Sequence, residues 1–176
     1  MTTEQGVVSK PSGLRVTEFN DLASLEGTWP SLLAASPLRD NIFLTWDWVD
    51  AWWRHYGSGN KMVVLMVQED GKPLALAPMM KARYRLPGLG RIRKIQFLGS
   101  PISDYHNFII VRDEYRCLRS IVGYLLDNFE DCDWIELNEL PDSSTTLDSI
   151  RSLGSDLSGR LSLRERVCNV CPYIPL

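Results

Sequence analysis

Apolar positions recur along the chain in two rhythms, and each change of rhythm marks a change of element. In Asn41 to Gly57, NIFLTWDWVDAWWRHYG, the residues Val49, Trp52, Trp53 and Tyr56 keep the i, i+3, i+4, i+7 spacing of one helical face. Thr45 is placed to cap this helix. Asp47 falls in its first turn, and Arg54 and His55 fall in its last turn before Gly57, each charge at the end that the helix dipole favours. The spacing predicts a helix whose aromatic stripe is core, each large side chain contributing on the order of 2 to 3 kcal/mol on full burial. Trp46 and Trp48 lie off the stripe, so their indole N–H groups need partners under a neighbouring loop or along a cleft.

The other elements follow from the same patterns. Residues 1–13 are polar and predict a loose tail before a single domain over 14–176. Leu14, Val16 and Phe19 suggest a short strand, and Asp21 opens a helical stretch that ends at Pro37, with Pro30 implying a kink or two shorter helices. Met62–Gln68 and Pro73–Met80 are apolar runs joined at Asp70-Gly71, the dipeptide suited to a tight hairpin, and Pro78 marks a bulge or an edge. Ile92–Leu98 reads as a strand turned by Gly99-Ser100-Pro101, and Asn107–Val111 as a further short β run. Asp113–Phe129 predicts a helix with Leu118, Ile121, Val122, Leu125, Leu126 and Phe129 on one face. Trp134–Leu140 reads as a strand. Asp142 to Ser144 then cap a helix carrying Leu147, Ile150 and Leu153, which Gly154 closes, and Leu161–Val167 is a last expected strand. This order is that of an α/β (α+β) protein with a mixed, mostly antiparallel sheet and helices on both faces.

At 176 residues and 44% hydrophobic content, the chain is long enough for one well-buried domain and short for two. A net charge of -3 gives no overall attraction to nucleic acid or to an anionic membrane, so neither is an expected partner. No apolar run approaches the length of a membrane span and the N-terminus lacks a leader pattern, so a soluble, cytoplasmic protein is expected. Charge is concentrated locally: Lys81, Arg83, Arg85, Arg91, Arg93 and Lys94 form a basic run with no acid among them. Such a run suits either a solvated hairpin tip or an anion such as a phosphorylated cofactor or a charged polymer. Tyr84 alone is interleaved, which is poor for base stacking. Four cysteines read as reduced thiols, and Cys168-Asn169-Val170-Cys171 lacks further ligands when His55 and His106 are the only histidines, so no metal is expected.

Candidate chemistry gathers in Ser103-Asp104-Tyr105-His106-Asn107, between two expected strands. Asp104 or His106 could take a proton from an amine, and Tyr105 could protonate a leaving thiolate, with Trp46, Trp48, Ser103 and Asn107 as substrate-binding neighbours. The same residue types also serve as ordinary loop caps. Glu136 and Glu139 face different sides of a strand and suit ion pairs at the surface.

Taken together, FLTWDWVDAWWRHYG, LALAPMM, FLGSPISDYHNFII, DWIELNELP and the closing CPYIPL resemble the first half of CelD-like and FemAB-like proteins of the GNAT acyltransferase superfamily. The resemblance runs from about Leu14 onward. It implies acetyl-CoA or another acyl-CoA as cofactor, or aminoacyl-tRNA chemistry. It also implies a small-molecule amine or sugar acceptor, and either a second GNAT-like domain or a homodimer partner. The GNAT phosphate turn, R/Q-x-x-G-x-G/A, is expected between the strand Asn107–Val111 and the helix from Asp113, but Val111-Arg112-Asp113-Glu114-Tyr115 has no glycine there. A literal match, Arg85 to Gly90 with Gly88, precedes a strand-like stretch instead of a helix. The expectation is therefore an N-terminal, acceptor-side half of an acyltransferase, truncated near Leu176 and without its own acetyl-CoA site. The alternatives are a free-standing N-acetyltransferase using Arg85, Gly88 and Gly90, and a non-catalytic interaction module.

Overall fold

The computed structural model of the chain describes residues 13–88 and 90–169. Its centre is a six-stranded sheet built from β1 (Leu14–Phe19), β2 (Lys61–Glu69), β3 (Lys72–Leu86), β4 (Gly90–Phe97), β5 (Ile109–Ile110) and β6 (Trp134–Glu136). The strand order is β1-β2-β3-β4-β6, with β5 also on β3. All pairings are antiparallel except β4 with β6, which run parallel. The β2–β3 connection is the expected two-residue turn: Asp70 and Gly71 take φ 49 and 76, the pair of positive angles that matches the twist of the flanking strands.

Both faces of this sheet are covered, which is why β2 and β3 read as unbroken apolar runs. Odd-numbered residues such as Val63, Leu65, Ala75, Ala77 and Met79 meet α3 (Glu114–Asn128) and α4 (Thr145–Asp156). Even-numbered residues such as Val64, Met66, Leu76 and Met80 meet α1 (Thr28–Ala35) and α2 (Trp46–Tyr56). The stretch before Pro37 is two short helices, a 3-10 turn over Ala23–Leu25 and then α1, with Pro30 in the first turn of α1, where its missing N–H costs nothing.

Helix α2 has the caps its sequence promised. The Thr45 side chain accepts from the Trp48 N–H, and Asp47, Arg54 and His55 occupy the expected turns. Its buried stripe is narrower than expected: Val49 and Trp52 are core, Trp53 is half-buried, and Tyr56, the last residue of the helix, is 56% exposed. On α3 the buried face is rotated to include Cys117 and Tyr124, leaving Leu126 half-buried.

Pro78 sits in mid-strand without a bulge; the irregularity lies at Val67/Gln68. Its carbonyl accepts from the Leu98 N–H at 2.8 Å, so its nitrogen faces the same side, at the seam where β4 ends and β5 has not begun. Four boundaries differ from expectation. β5 is reduced to two residues because Asn107 uses its own side chain to accept from the Phe108 N–H. β6 stops at Glu136, and Glu139 takes φ 57. Residues 161–169 form no strand: Arg164, Glu165 and Arg166 are exposed, and Glu165 is clamped by the Arg151 guanidinium of α4 at 2.6 and 3.0 Å. Nor does Gly154 close α4, which continues to Asp156; Gly154 packs against Leu163. Cys171 and the closing segment from 170 onward lie outside the described residues.

Candidate functional site: the loop at the β4–β6 fork

Strands β4 and β6 pair only from Lys94–Gln96 to Trp134–Glu136, then part. At that fork β4 turns away through Gly99, with φ 99 and a cis Ser100–Pro101 peptide, and the chain loops through 101–106 before rejoining β3 as β5. Four side chains from outside fasten the loop. The Trp48 indole donates to Ser103 Oγ at 2.7 Å, Asn41 Nδ2 donates to the Tyr105 carbonyl at 2.8 Å, Ser100 Oγ donates to Asn138 Oδ1 at 3.0 Å, and Asn107 Nδ2 donates to Ser144 Oγ at 3.0 Å. The loop is thus tied to α2 through Trp48, to the turn before it through Asn41, and to the segment between β6 and α4 through Asn138 and Ser144.

The loop turns polar groups both inward and outward. Ser100, Ser103, His106 and Asn107 are buried. His106 is 1% exposed and its ring lies 5.3 Å from that of Phe97, centroid to centroid. Neither ring nitrogen has a hydrogen-bond partner among the described residues. Burial pushes its pKa down to about 4, although the Asn138 backbone and the Asp104 charge act in the opposite direction, so at neutral pH the ring is uncharged. Gly99 is required here: a Cβ would stand 2.5 Å from Ser103 Oγ and 2.9 Å from His106 Nε2. Asp104 and Tyr105 face out, Tyr105 being 47% exposed and held at φ 52, a left-handed conformation that is uncommon for a bulky residue.

The structure therefore brings together Trp48, Ser103, Asp104, Tyr105, His106 and Asn107, but not Trp46. The Trp46 indole donates to the Leu22 carbonyl at 3.2 Å and lines a separate cleft of about 510 Å³ with Pro30, Leu33 and Asp47. Arg85, Gly88 and Gly90 lie at the tip of the β3–β4 hairpin, with Arg85 opposite Arg91. There the positive φ angles of Gly88 and Gly90, 81 and 83, serve the chain reversal, and a strand follows. Glu136 pairs with Lys94, and Glu139 accepts from Asn169 Nδ2 at 2.7 Å. Sequence reasoning missed Asn41, Ser100, Asn138 and Ser144. Gly99 beside Ser-Pro was a visible signal, whereas Asn138 and Ser144 gave none, since only the fold brings them to the loop.

The junction where the GNAT phosphate turn is expected does not fit a diphosphate. Asp113 is the N-cap of α3 at φ 55, and Glu114 begins the helix. Glu69 is bound there by Arg112 at 3.0 Å and Arg116 at 3.2 Å, Arg116 also reaches Asp113 at 3.3 Å, and Thr146 of α4 donates to Glu114. Three carboxylates and a second helix occupy the end of α3 where an anion would be received. Among the described residues no group of three or more His, Cys, Asp or Glu is arranged to hold a metal, and no helix is long and apolar enough to cross a membrane.

No protein-family model matches the chain, and no curated protein matches it. Among solved structures, an aminoglycoside acetyltransferase from an uncultured soil metagenomic sample aligns at 14% identity and a TM-score of 0.51, covering 93% of this chain and 100% of that one. A glucosamine-6-phosphate N-acetyltransferase from Arabidopsis thaliana aligns at 15% identity and a TM-score of 0.47, again over 93% of this chain and 100% of that one. With its mixed six-stranded sheet between two helical layers, the chain has the fold of the GNAT acetyltransferases.

Proposed function

We propose that the chain is a free-standing N-acyltransferase that acylates the amine of a small molecule at the outer rim of the 98–108 loop. The observation that carries this reading is the extent of the fold match, which takes in the whole of the soil acetyltransferase and not half of it. Asp104 is the proton acceptor for the incoming amine, being exposed on the loop that four side-chain hydrogen bonds hold in place. Tyr105, fixed at a left-handed backbone position with its side chain half in solvent, would donate a proton to the leaving thiolate of an acyl donor brought to this rim. His106 is too deeply buried for direct proton exchange with an acceptor. Its part is to support the loop from below as a neutral ring against Phe97 and Gly99.

The test is turnover of the purified chain with acetyl-CoA and a panel of aminoglycosides and amino sugars, read as acetylated product by mass spectrometry. Wild type should give product, Asp104→Ala should be slower by about 100-fold or more, and Tyr105→Phe should lower the rate without unfolding the protein. A folded chain that acetylates nothing would remove this reading.

The carboxylates at the start of α3 favour a second reading, in which the chain is the acceptor-side half of a two-domain acyltransferase and its partner domain holds the donor. In that case acetyl-CoA would not bind to this chain alone in a calorimetric titration.

A further inference from the structure

The basic run read from the sequence becomes, in the structure, one charged face. Lys61 stands directly opposite Lys81, Arg83 opposite Arg93, and Arg85 opposite Arg91. Because side chains alternate along strands, Lys81, Arg83 and Arg85 share the side of β3 that carries Ala75, Ala77 and Met79, the side facing α3. The Lys61 and Lys81 ammonium groups confirm the facing, lying 5.4 and 5.8 Å from the Phe129 ring centre at the end of α3. Beyond that ring the helical layer stops and the hairpin continues.

Three successive cross-strand pairs of like charge oppose folding unless something compensates them. Two acids do so in part. Glu18 binds Lys61 at 2.9 Å, while Asp131 binds Lys81 at 2.5 Å and Arg93 at 3.4 Å. Arg83, Arg85 and Arg91 have no acidic partner among the described residues, and all three are exposed. Lys61, Lys81 and Arg83 line a half-open cleft of about 320 Å³ with Gly59 and Asn60, and of the three only Arg83 lacks an acidic partner among the described residues. The overall charge of the protein is -3, so this positive field is confined to one face.

We infer that this face is a binding site for a small ligand carrying two linked phosphates, seated in the Gly59–Arg83 cleft. The two phosphates of a diphosphate are too close together to span successive cation pairs along β3, so both are met by the three cations that border the cleft, Lys61, Lys81 and Arg83. The guanidinium of Arg83, with its planar fork and no competing carboxylate, supplies paired hydrogen bonds to phosphate oxygens. Nucleic acid is the weaker occupant because Tyr84 points to the opposite side of the sheet. There its hydroxyl donates to Gln96 and its ring lies 4.4 Å from the Lys94 ammonium, so the basic face offers no stacking surface for bases. The site lies where Lys81 and Arg83 stand opposite Ile95 and Arg93 of β4, uses no residue of the 98–108 loop, and does not depend on the acyl-transfer reading.

The experiment is a calorimetric titration of the full chain with inorganic pyrophosphate, at low and at physiological ionic strength, alongside orthophosphate and a short mixed-sequence single-stranded oligonucleotide. The expected result is saturable one-to-one binding of pyrophosphate, with orthophosphate at least about tenfold weaker. Arg83→Ala should weaken pyrophosphate about tenfold with an unchanged thermal midpoint, and Arg39→Ala should have no effect. Three results would overturn the inference: no pyrophosphate binding by the folded chain, binding that Arg83→Ala leaves unchanged, or oligonucleotide binding in the absence of pyrophosphate binding.

Discussion

Replacing Gly99 by alanine tests the packing beneath the loop more sharply than any other single change. The added Cβ would stand 2.5 Å from Ser103 Oγ and 2.9 Å from His106 Nε2, and neither neighbour is free to retreat. Ser103 is held by the Trp48 indole at 2.7 Å, and the His106 ring rests on Phe97. Overpacking of this kind costs about 1–3 kcal/mol. The backbone adds a separate cost of about 1–2 kcal/mol, because φ 99 lies in the region that a side chain disfavours. The combined loss is about 3 kcal/mol, a large share of the ~5–15 kcal/mol that holds a typical domain together. Gly71→Ala is the control: its φ is 76, but nothing lies within 4 Å of its Cβ, so only the backbone cost applies. In urea unfolding with a slope of roughly 2 kcal/mol per molar, Gly99→Ala should lower the midpoint by about 1.5 M and Gly71→Ala by about 0.5 M. If the two variants lose the same stability with unchanged slopes, the close packing of Gly99, Ser103 and His106 is refuted.

Other consequences follow from the same contacts. The His106 pKa falls from 6.5 to about 4 on folding, so the unfolded chain binds the extra proton. The stability this gives is complete above about pH 6.5 and is lost as pH falls towards 4, up to about 3 kcal/mol in all. Urea midpoints measured across that window should fall more steeply for wild type than for His106→Gln, and parallel profiles would count against a buried neutral ring. Trp48→Phe keeps an aromatic side chain but removes the donor to Ser103, and should cost about 1 kcal/mol or more while increasing amide exchange in residues 101–106. Thr45→Ala removes the cap of α2 and should also cost about 1 kcal/mol, seen as a lower thermal midpoint.

What the sequence made legible was what depends on near neighbours. The α2 caps, the Asp70-Gly71 hairpin and the apolar runs of β2 and β3 are all set within a few residues, and each appears where the pattern places it. The errors share a different origin. Tyr56 continues the helical stripe, but nothing covers it at the end of α2, and the apolar alternation around Leu161 and Leu163 binds to α4 instead of a sheet edge. Burial and pairing of that kind are decided by what the rest of the fold brings alongside. The candidate site shows the same division. Ser103 to Asn107 stood out by composition, whereas the inward turn of His106 and the outward turn of Asp104 became visible only with Gly99, Asn41 and Asn138 in place. For the basic run, sequence gave the charges, and the cross-strand register put them on one face with Lys61.

The central claim is that a small amine is acylated at the rim of the 98–108 loop, and an amide-resolved NMR titration with the amine that gives turnover tests it most directly. The account predicts the largest shifts at residues 102–107 and at Asn41, whose side chain holds the Tyr105 carbonyl, with little change in the first turn of α3. Shifts centred on the start of α3, on the Trp46 cleft or on the β3–β4 hairpin, with residues 102–107 unmoved, would contradict it.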